Sequence, residues 1–428
     1  MSVTVRAARA ADWETLRDVR LRALADAPDA FGELLATAHE NSEARWRELS
    51  APKAELLRLI AWDGERAVGM MVVALTLAGE RQANIYAMWV APAARRHGAG
   101  RALVTKGLAW ARAHAALEVT LRVSETQPAA RALYVACGFH PTGEREPLRT
   151  GSAILSEVLA LRQPPLIMGV VNVTPDSFSD GGEYLRPSAA IAHGLKLAAA
   201  GADLLDVGGE ATNPKAAAVD AGEELRRVLP VIEALASAGL AVSVDTTKAE
   251  VARAAVGAGA LLVNDVSGGL FDPTMIEIVR VLAVRYIAGH LRGRSLPEVF
   301  SAEGTGSRPV TWETVAAELA ERVAELPPTQ AWIDPGLGFG KGADAEGNVA
   351  LLRHAGDIAA TVARPIVVGA SRKRFVRRFA GLTDHASREA VDAASTLATL
   401  AAVRAGAHVV RVHNVALLRT ALTAYNKK

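Results

Sequence analysis

From residue 166 onward, short apolar runs alternate with longer stretches in which apolar residues recur every three or four positions. The runs occupy 166–171, 203–207, 241–244, 261–263, 285–288, 331–333, 365–368 and 408–412. The periodic stretches include 188–200, 223–238, 248–257 and 311–325. An unbroken apolar run bounded by turn residues reads as a strand buried on both faces, and a 3.6-residue period reads as a helix. Eight such units in about 260 residues predict an α/β fold with one TIM (β/α)8 barrel; a doubly wound open sheet shares the rhythm and is the alternative.

Before residue 163 the pattern is mixed α/β. Residues 3–6 read as a strand, and Asp12 reads as the cap of a following helix. A strand is expected at 85–90, then Ala91-Pro92, a glycine-containing turn, a helix over 101–114 and a strand at 118–123. Gln163-Pro164-Pro165 breaks the composition, since proline ends an element and stiffens a link. The predicted organisation is a smaller domain over 1–162, a linker at 163–165 and the barrel over 166–428.

The chain has 428 residues, too many for one ordinary core. Its formal net charge of +2 gives no reason to expect nucleic acid or a membrane surface as a partner, and no apolar run is long enough to span a bilayer. The single cysteine, Cys137, excludes an intrachain disulfide. With no apolar leader in the opening residues, a cytoplasmic location is expected. Cys137 is expected to be a packing residue, and His39, His97, His114 and His193 lack the spacing of a zinc site.

Polar chemistry gathers where the barrel runs stop: at Asn172, Asp206, Asp245, Asn264-Asp265, His290, Asp334, Ser371-Arg372-Lys373, and Arg411 with His413. Brought to one rim, so many carboxylates and amides would be costly unless a polar ligand filled the space between them. The mixture suits a flat, nitrogen-rich heterocycle. Carboxylates accept from ring N–H and amino groups, asparagine donates and accepts, and lysine donates to a ring carbonyl. Arg411 and His413 are alternate residues of one strand and face the same way; with Asn172 they suit a metal-bound phosphate group.

The blocks MGVVNVTPDSFSDGG (168–182), DVGGEATNP (206–214), SVDTTKAEVARAA (243–255), LVNDVSGG (262–269), IDPGLGFGK (333–341), GASRKRF (369–375) and RVHNV (411–415) resemble the dihydropteroate synthases over the whole barrel. The resemblance implies that the amine of p-aminobenzoate displaces pyrophosphate from 6-hydroxymethyl-7,8-dihydropterin pyrophosphate, with Mg2+ and cationic side chains stabilising the leaving group. It implies that Asp245, Asn264, Asp334 and Lys373 bind the pterin ring, with Asp206 in support. Arg411 would stack on the ring and, with His413 and Asn172, hold pyrophosphate and Mg2+, Asn172 being the metal ligand. Thr212, Pro214, Phe178 and Phe339 would shape the aminobenzoate pocket, with Ser371-Arg372-Lys373 beneath it. The loops 174–182 and 210–217 are expected to be mobile lids, and a homodimer through the barrel's helical face is expected. One block departs from the family, with Ala211-Thr212-Asn213-Pro214 where Ser-Thr-Arg-Pro is usual. Lys215 is expected to replace the charge of the missing arginine but not its bidentate fork. A weakened paralogue and a pterin-binding methyltransferase are the alternatives.

In the N-terminal segment, a strand ending at Val90 leads to Arg95-Arg96-His97-Gly98-Ala99-Gly100-Arg101 at a helix start, where backbone N–H groups can approach a pyrophosphate. With Gln127, Tyr134 and Cys137-Gly138-Phe139 downstream, residues 1–162 resemble the GNAT family of N-acetyltransferases. The resemblance implies acetyl-CoA as co-substrate and a cradle built from Val90, Arg95, Arg96, Gly98, Ala99, Gly100 and Arg101. Tyr134 would protonate the departing thiolate. Gln127 stands where relatives often carry asparagine. Neither a general base nor an acetyl acceptor is identified, and a non-catalytic binding module is the alternative.

Overall fold

The computed structural model describes residues 3–76, 82–174, 187–212, 219–300, 310–341 and 345–425. The chain divides into two compact units, Met1–Pro164 and Pro165–Lys428.

In the first unit, β1 (Val3–Ala7), β2 (Leu56–Asp63), β3 (Arg66–Thr76), β4 (Gln82–Val90), β5 (Glu118–Ser124), β6 (His140–Pro147) and β7 (Leu155–Arg162) form one sheet, in the order β1-β2-β3-β4-β5-β7-β6. The β4–β5 pair is parallel, while the other neighbours run antiparallel. The parallel ladder pairs only Gln82 through Ile85 with Glu118 through Leu121, so the two strands part beyond that point. The β3–β4 register slips between Met70 and Val72, opposite Ala87 at φ 52°, which makes a bulge in β4. The helix Ala99–Ala113 buries Leu103, Val104 and Ala111. It comes so close to β3 that a Cβ on Gly107 would lie 2.4 Å from Met71 Cε. The helix Trp13–Asp26 does follow Asp12, but Asp12 does not cap it. Its carboxylate accepts the Arg6 guanidinium at 2.6 and 2.8 Å and the Arg9 N–H at 2.7 Å, because a charged fork outcompetes the helix's own N–H groups. Gln163 and Pro164 are tied to this unit: Gln163 N–H donates to the Leu117 carbonyl and Arg112 to the Pro164 carbonyl, both at 2.7 Å.

In the second unit, β8 (Leu166–Asn172), β9 (Leu204–Gly208), β10 (Val242–Asp245), β11 (Leu262–Asp265), β12 (Arg285–Gly289), β13 (Ala331–Asp334), β14 (Val367–Val368) and β15 (Val409–Val412) are all parallel. Their order is β13-β12-β11-β10-β9-β8-β15-β14. A parallel bridge between Ile333 and Ile366 joins the two ends of that order, with Ile333 N–H donating to the Pro365 carbonyl at 2.9 Å. The sheet is therefore a barrel and not an open layer. Helices such as Pro187–Ala199, Ala221–Ser237, Ala249–Gly257 and Trp312–Arg322 pack around strands whose apolar residues, Ile167, Val171, Leu205, Val244 and Val263 among them, are buried. Asn172, Asp245, Asp265 and Asp334 are the last residues of their strands, and Asn264 the last but one, not the first residues of loops. Backbone makes the ladder, so a polar side chain does not end it.

Candidate active sites

Parallel barrel strands deliver their C-terminal ends to one rim. At the centre of this rim, Arg411 Nε donates to Asp206 Oδ2 at 2.6 Å and Arg411 Nη2 to Asp245 Oδ2 at 2.7 Å. Asn264 Nδ2 donates to the same Asp206 oxygen at 3.0 Å. The other Asp206 oxygen is buried with no hydrogen-bond partner among the described residues, an acceptor without a donor. Asp334 Oδ1 accepts the Gly336 N–H at 2.7 Å. A Cβ on Gly369 would lie 3.8 Å from Arg411 Cβ and 4.0 Å from Asp334 Oδ2, which places both beside the same glycine. Lys373 Nζ sits 3.9 Å from the centre of the Phe339 ring.

Burial pushes the Asp245 carboxyl up to about 7, opposed by Arg411 and reinforced by Asp206. Burial also raises Asp334, against the hydrogen bond from Gly336. It pulls Lys373 down to about 8, against the attraction of Asp334. Burial disfavours the Arg411 charge as well, but Asp206 and Asp245 outweigh it and the guanidinium stays protonated. The mouth is thus a nearly self-neutralised cluster, able to exchange internal pairs for contacts to a polar ligand.

Two strand-end residues expected at this convergence do other work. Asp265 accepts from the Ser267 N–H and hydroxyl, the Gly269 N–H and the Tyr286 hydroxyl, which fixes the loop after β11. His290 pairs through Nε2 with Glu318 at 2.9 Å, and burial lowers its pKa to about 3. Lys341 Nζ donates to the carbonyls of His290 (2.8 Å) and Phe339 (3.0 Å), holding the turn that carries Phe339. Asp265 is drawn away because buried loop N–H groups also need partners, and His290 because its imidazole pairs with the Glu318 carboxylate.

His413 Nδ1 lies 2.9 Å from Ser371 Oγ, and burial, with the repulsion of Arg372 and Arg411, lowers its pKa to about 3. Asn172 ends β8 half-buried, in the strand that pairs with β15. Thr212 is half-buried a few residues past the end of β9. Phe178, Asn213, Pro214 and Lys215 lie outside the described residues. Lys248 was not singled out from sequence. Its Nζ joins Glu210 (2.5 Å) to the buried Glu224 (2.6 Å), and Glu210 also accepts the Val219 N–H at 3.1 Å.

In the first unit, a cavity of about 1130 Å³ opens where β4 and β5 part. Val90, Arg95, Arg96, Gly98, Gly100, Arg101, Gln127 and Tyr134 all line it, and Ala99 is buried in the first helical turn. Gly98, at φ 87°, turns the chain into the helix Ala99–Ala113. At Gly100 a Cβ would lie 2.8 Å from Leu133 Cδ2 and 3.4 Å from Met88 Cε. Arg95 is engaged internally. Its Nε donates to the Val90 carbonyl at 2.9 Å and its Nη2 to Asp26, which also accepts Trp89 Nε1 at 2.8 Å. The Tyr134 hydroxyl donates to Met88 Sδ at 3.3 Å, and burial raises its pKa. The bulge at Ala87 and the contact at Met88 carried no sequence signal, since a bulge is a property of the backbone.

A closed parallel barrel with polar groups gathered at its mouth is the architecture of the pterin-binding enzymes, and a family match places this chain among them. A family model described as pterin binding enzyme matches residues 168–413, more than half of the chain, and the chain belongs to that family. Within it, the barrel falls among the dihydropteroate synthases. It is 44% identical over 259 residues to the dihydropteroate synthase of Mycobacterium leprae (strain TN), covering 59% of this chain and 89% of that protein. It is 38% identical over 267 residues to the mitochondrial folate synthesis bifunctional protein of Pisum sativum, covering 58% of this chain and 50% of that one, so the chain spans about half of that relative. The dihydropteroate synthase of Xanthomonas albilineans in complex with 7,8-dihydropteroate matches at 41% identity and a TM-score of 0.53, over 63% of this chain and 95% of that chain. Residues 21–139 match the acetyltransferase (GNAT) family.

Proposed function

We propose that the barrel condenses 6-hydroxymethyl-7,8-dihydropterin pyrophosphate with p-aminobenzoate, forming dihydropteroate and pyrophosphate. The observation that carries this reading is the gathering of Asp206, Asp245, Asn264, Asp334, Lys373 and Arg411 at one mouth. Asp245 and Asp334 accept from the ring's N–H and amino groups, Asn264 donates and accepts, and Lys373 donates to the ring carbonyl. Arg411 supplies positive charge beside the departing diphosphate. His413, held neutral, offers a hydrogen bond and not a charge. The reaction needs little proton transfer, so positioning and charge stabilisation carry most of the rate.

The donor chemistry suits Mg2+. Asn172 presents a hard amide oxygen, and the described residues hold no cluster of three or more His, Cys, Asp or Glu side chains that could chelate a metal alone. That set matches a cation bound mostly by diphosphate oxygens and water, with Asn172 as protein ligand. When bound, Mg2+ neutralises charge on the leaving diphosphate. Lys215 replaces the arginine that Asn213 lacks, and Lys215→Ala then raises KM for the pyrophosphate substrate. Incubating the full chain with both substrates and Mg2+ tests the reading; failure to form dihydropteroate sinks it.

The first unit, over residues 1–162, binds acetyl-CoA and acts as an N-acetyltransferase, with Tyr134 protonating the CoA thiolate. The parting of β4 from β5 beside the Gly98–Gly100 turn supports this. Calorimetry with acetyl-CoA tests it, and no heat at high micromolar ligand removes it. We place the protein in the cytoplasm as a homodimer formed through the barrel over 166–428, which sedimentation of the purified chain tests for the oligomer. No described helix is long and apolar enough to cross a membrane.

A further inference from the structure

Arg372 adopts φ 60°, the left-handed region that bulky residues avoid. Such a residue persists only where its surroundings over-determine it. Here they do. The Arg372 N–H donates to Ser395 Oγ at 2.9 Å, and its Nε and Nη2 donate to the two Asp392 oxygens at 2.8 and 3.0 Å. Ser395 and Asp392 lie on the helix Arg388–Arg404, which turns an unusually polar face inward: Asp392, Ser395, Thr396 and Thr399 are all buried. Asp392 Oδ2 also accepts Asn414 Nδ2 at 3.1 Å, just beyond β15. Burial works to raise the Asp392 carboxyl, but the bonds from Arg372 and Asn414 outweigh it and hold it below its usual value. One helix therefore stitches the loop after β14 to the loop after β15.

The left-handed residue also sorts its neighbours. On one side Ser371 Oγ meets His413 Nδ1 and accepts the His413 N–H at 3.3 Å. On the other, Lys373 lies over the Phe339 ring. The Arg372 guanidinium itself points to Asp392 and not into the mouth. We propose that Asp392 and Ser395 are positioning residues for the amine substrate: by holding Arg372 left-handed they fix the Ser371 hydroxyl where p-aminobenzoate requires it, while Lys373 keeps its own support against the Phe339 ring. Arg372 is a strut, and Ser371 with the adjoining backbone forms the floor for the aminobenzoate carboxylate. This rests on the synthase reading of the barrel.

The test is steady-state kinetics of the full chain with each substrate varied in turn. Asp392→Asn and Ser395→Ala each raise KM for p-aminobenzoate by about 10- to 30-fold, in line with the cost of misplacing a reacting group by a fraction of an ångström, and leave KM for the pyrophosphate substrate within about twofold. Arg372→Gly adopts the same φ without help, so adding Asp392→Asn to that background shifts KM for p-aminobenzoate no further. If Asp392→Asn does not fold, Ser395→Ala and the glycine background carry the test. An unchanged KM for p-aminobenzoate, or an equal rise in both KM values, overturns the proposal alone. A parent chain that makes no dihydropteroate overturns the synthase reading and this proposal with it.

Discussion

The two candidate sites are built on opposite principles. At the barrel mouth the recognising groups are side chains already paired with one another: Arg411 with Asp206 and Asp245, Asn264 with Asp206. In the first unit they are mostly backbone: the strand edges freed beyond Ile85 and Leu121, and the N–H groups at the start of Ala99–Ala113. A small heterocycle with many polar edges requires particular atoms at particular points. An extended thioester carrying a diphosphate requires a shape and an electropositive helix end. The first kind of site is vulnerable to loss of charge, the second to added bulk.

The sharpest break in that contrast is Arg411→Met. It strands two buried carboxylates, and removing one partner of a buried pair typically costs about 3–5 kcal/mol. We expect a lower denaturation midpoint for the barrel and no synthase turnover, with acetyl-CoA binding unchanged by calorimetry. Gly100→Val is the reciprocal experiment. Its branched side chain must displace Leu133 and Met88. Overpacking of about 1–3 kcal/mol would weaken acetyl-CoA by about 5- to 150-fold while leaving dihydropteroate formation intact.

A pH profile sharpens the comparison further. Asp245 must be ionised, above about 7, and Lys373 protonated, below about 8. Synthase kcat/KM for the pterin substrate should therefore peak between them and fall about tenfold per pH unit outside, whereas acetyl-CoA affinity should hardly move. Asp245→Asn removes the acid limb, and a flat wild-type profile refutes the assignment. The smallest expected effect concerns stability. His290 is neutral when folded, with its pKa lowered to about 3, but protonates at about 6.5 when unfolded. Its contribution is complete above 6.5 and is lost as the pH falls below it, by about 1.4 kcal/mol per unit. Asp245 works with the opposite sign, so the useful measurement is a difference: His290→Gln should show a correspondingly shallower acid-side loss in urea titrations at pH 7.5 and 5.5.

The same contrast explains what could be read from the chain alone. Barrel strands such as 166–171 and 241–244 were visible because burial on both faces leaves an unbroken apolar run, and their polar ends were visible because they interrupt it. Asp265 and His290 end their runs in sequence just as Asp245 and Asp334 do; only the loop after β11 and the Glu318 carboxylate, which engage them, decide which side chains face the mouth. Asp392 and Ser395 did leave a trace, polar residues three apart on the buried side of a helix, but it reads as ordinary solvent exposure until the partners at Arg372 and Asn414 are seen. In the first unit the glycines of the turn were legible because they are residues. The bulge at Ala87 was not, because any residue can occupy one, and the Asp26–Arg95 pair spans too much chain for periodicity to register.

The hoop of parallel strands is not equally stiff around its circumference. Its thinnest stave is β14, two residues long and joined to β13 by the single Ile333–Ile366 bridge. Slack in a hoop collects at such a stave, where few amide bonds must break together. The segment Gly369 through Lys373 continues directly from it, so this is the side of the rim best able to breathe. Amide exchange should be fastest at Ile333 and Ile366 among the barrel's ladder positions.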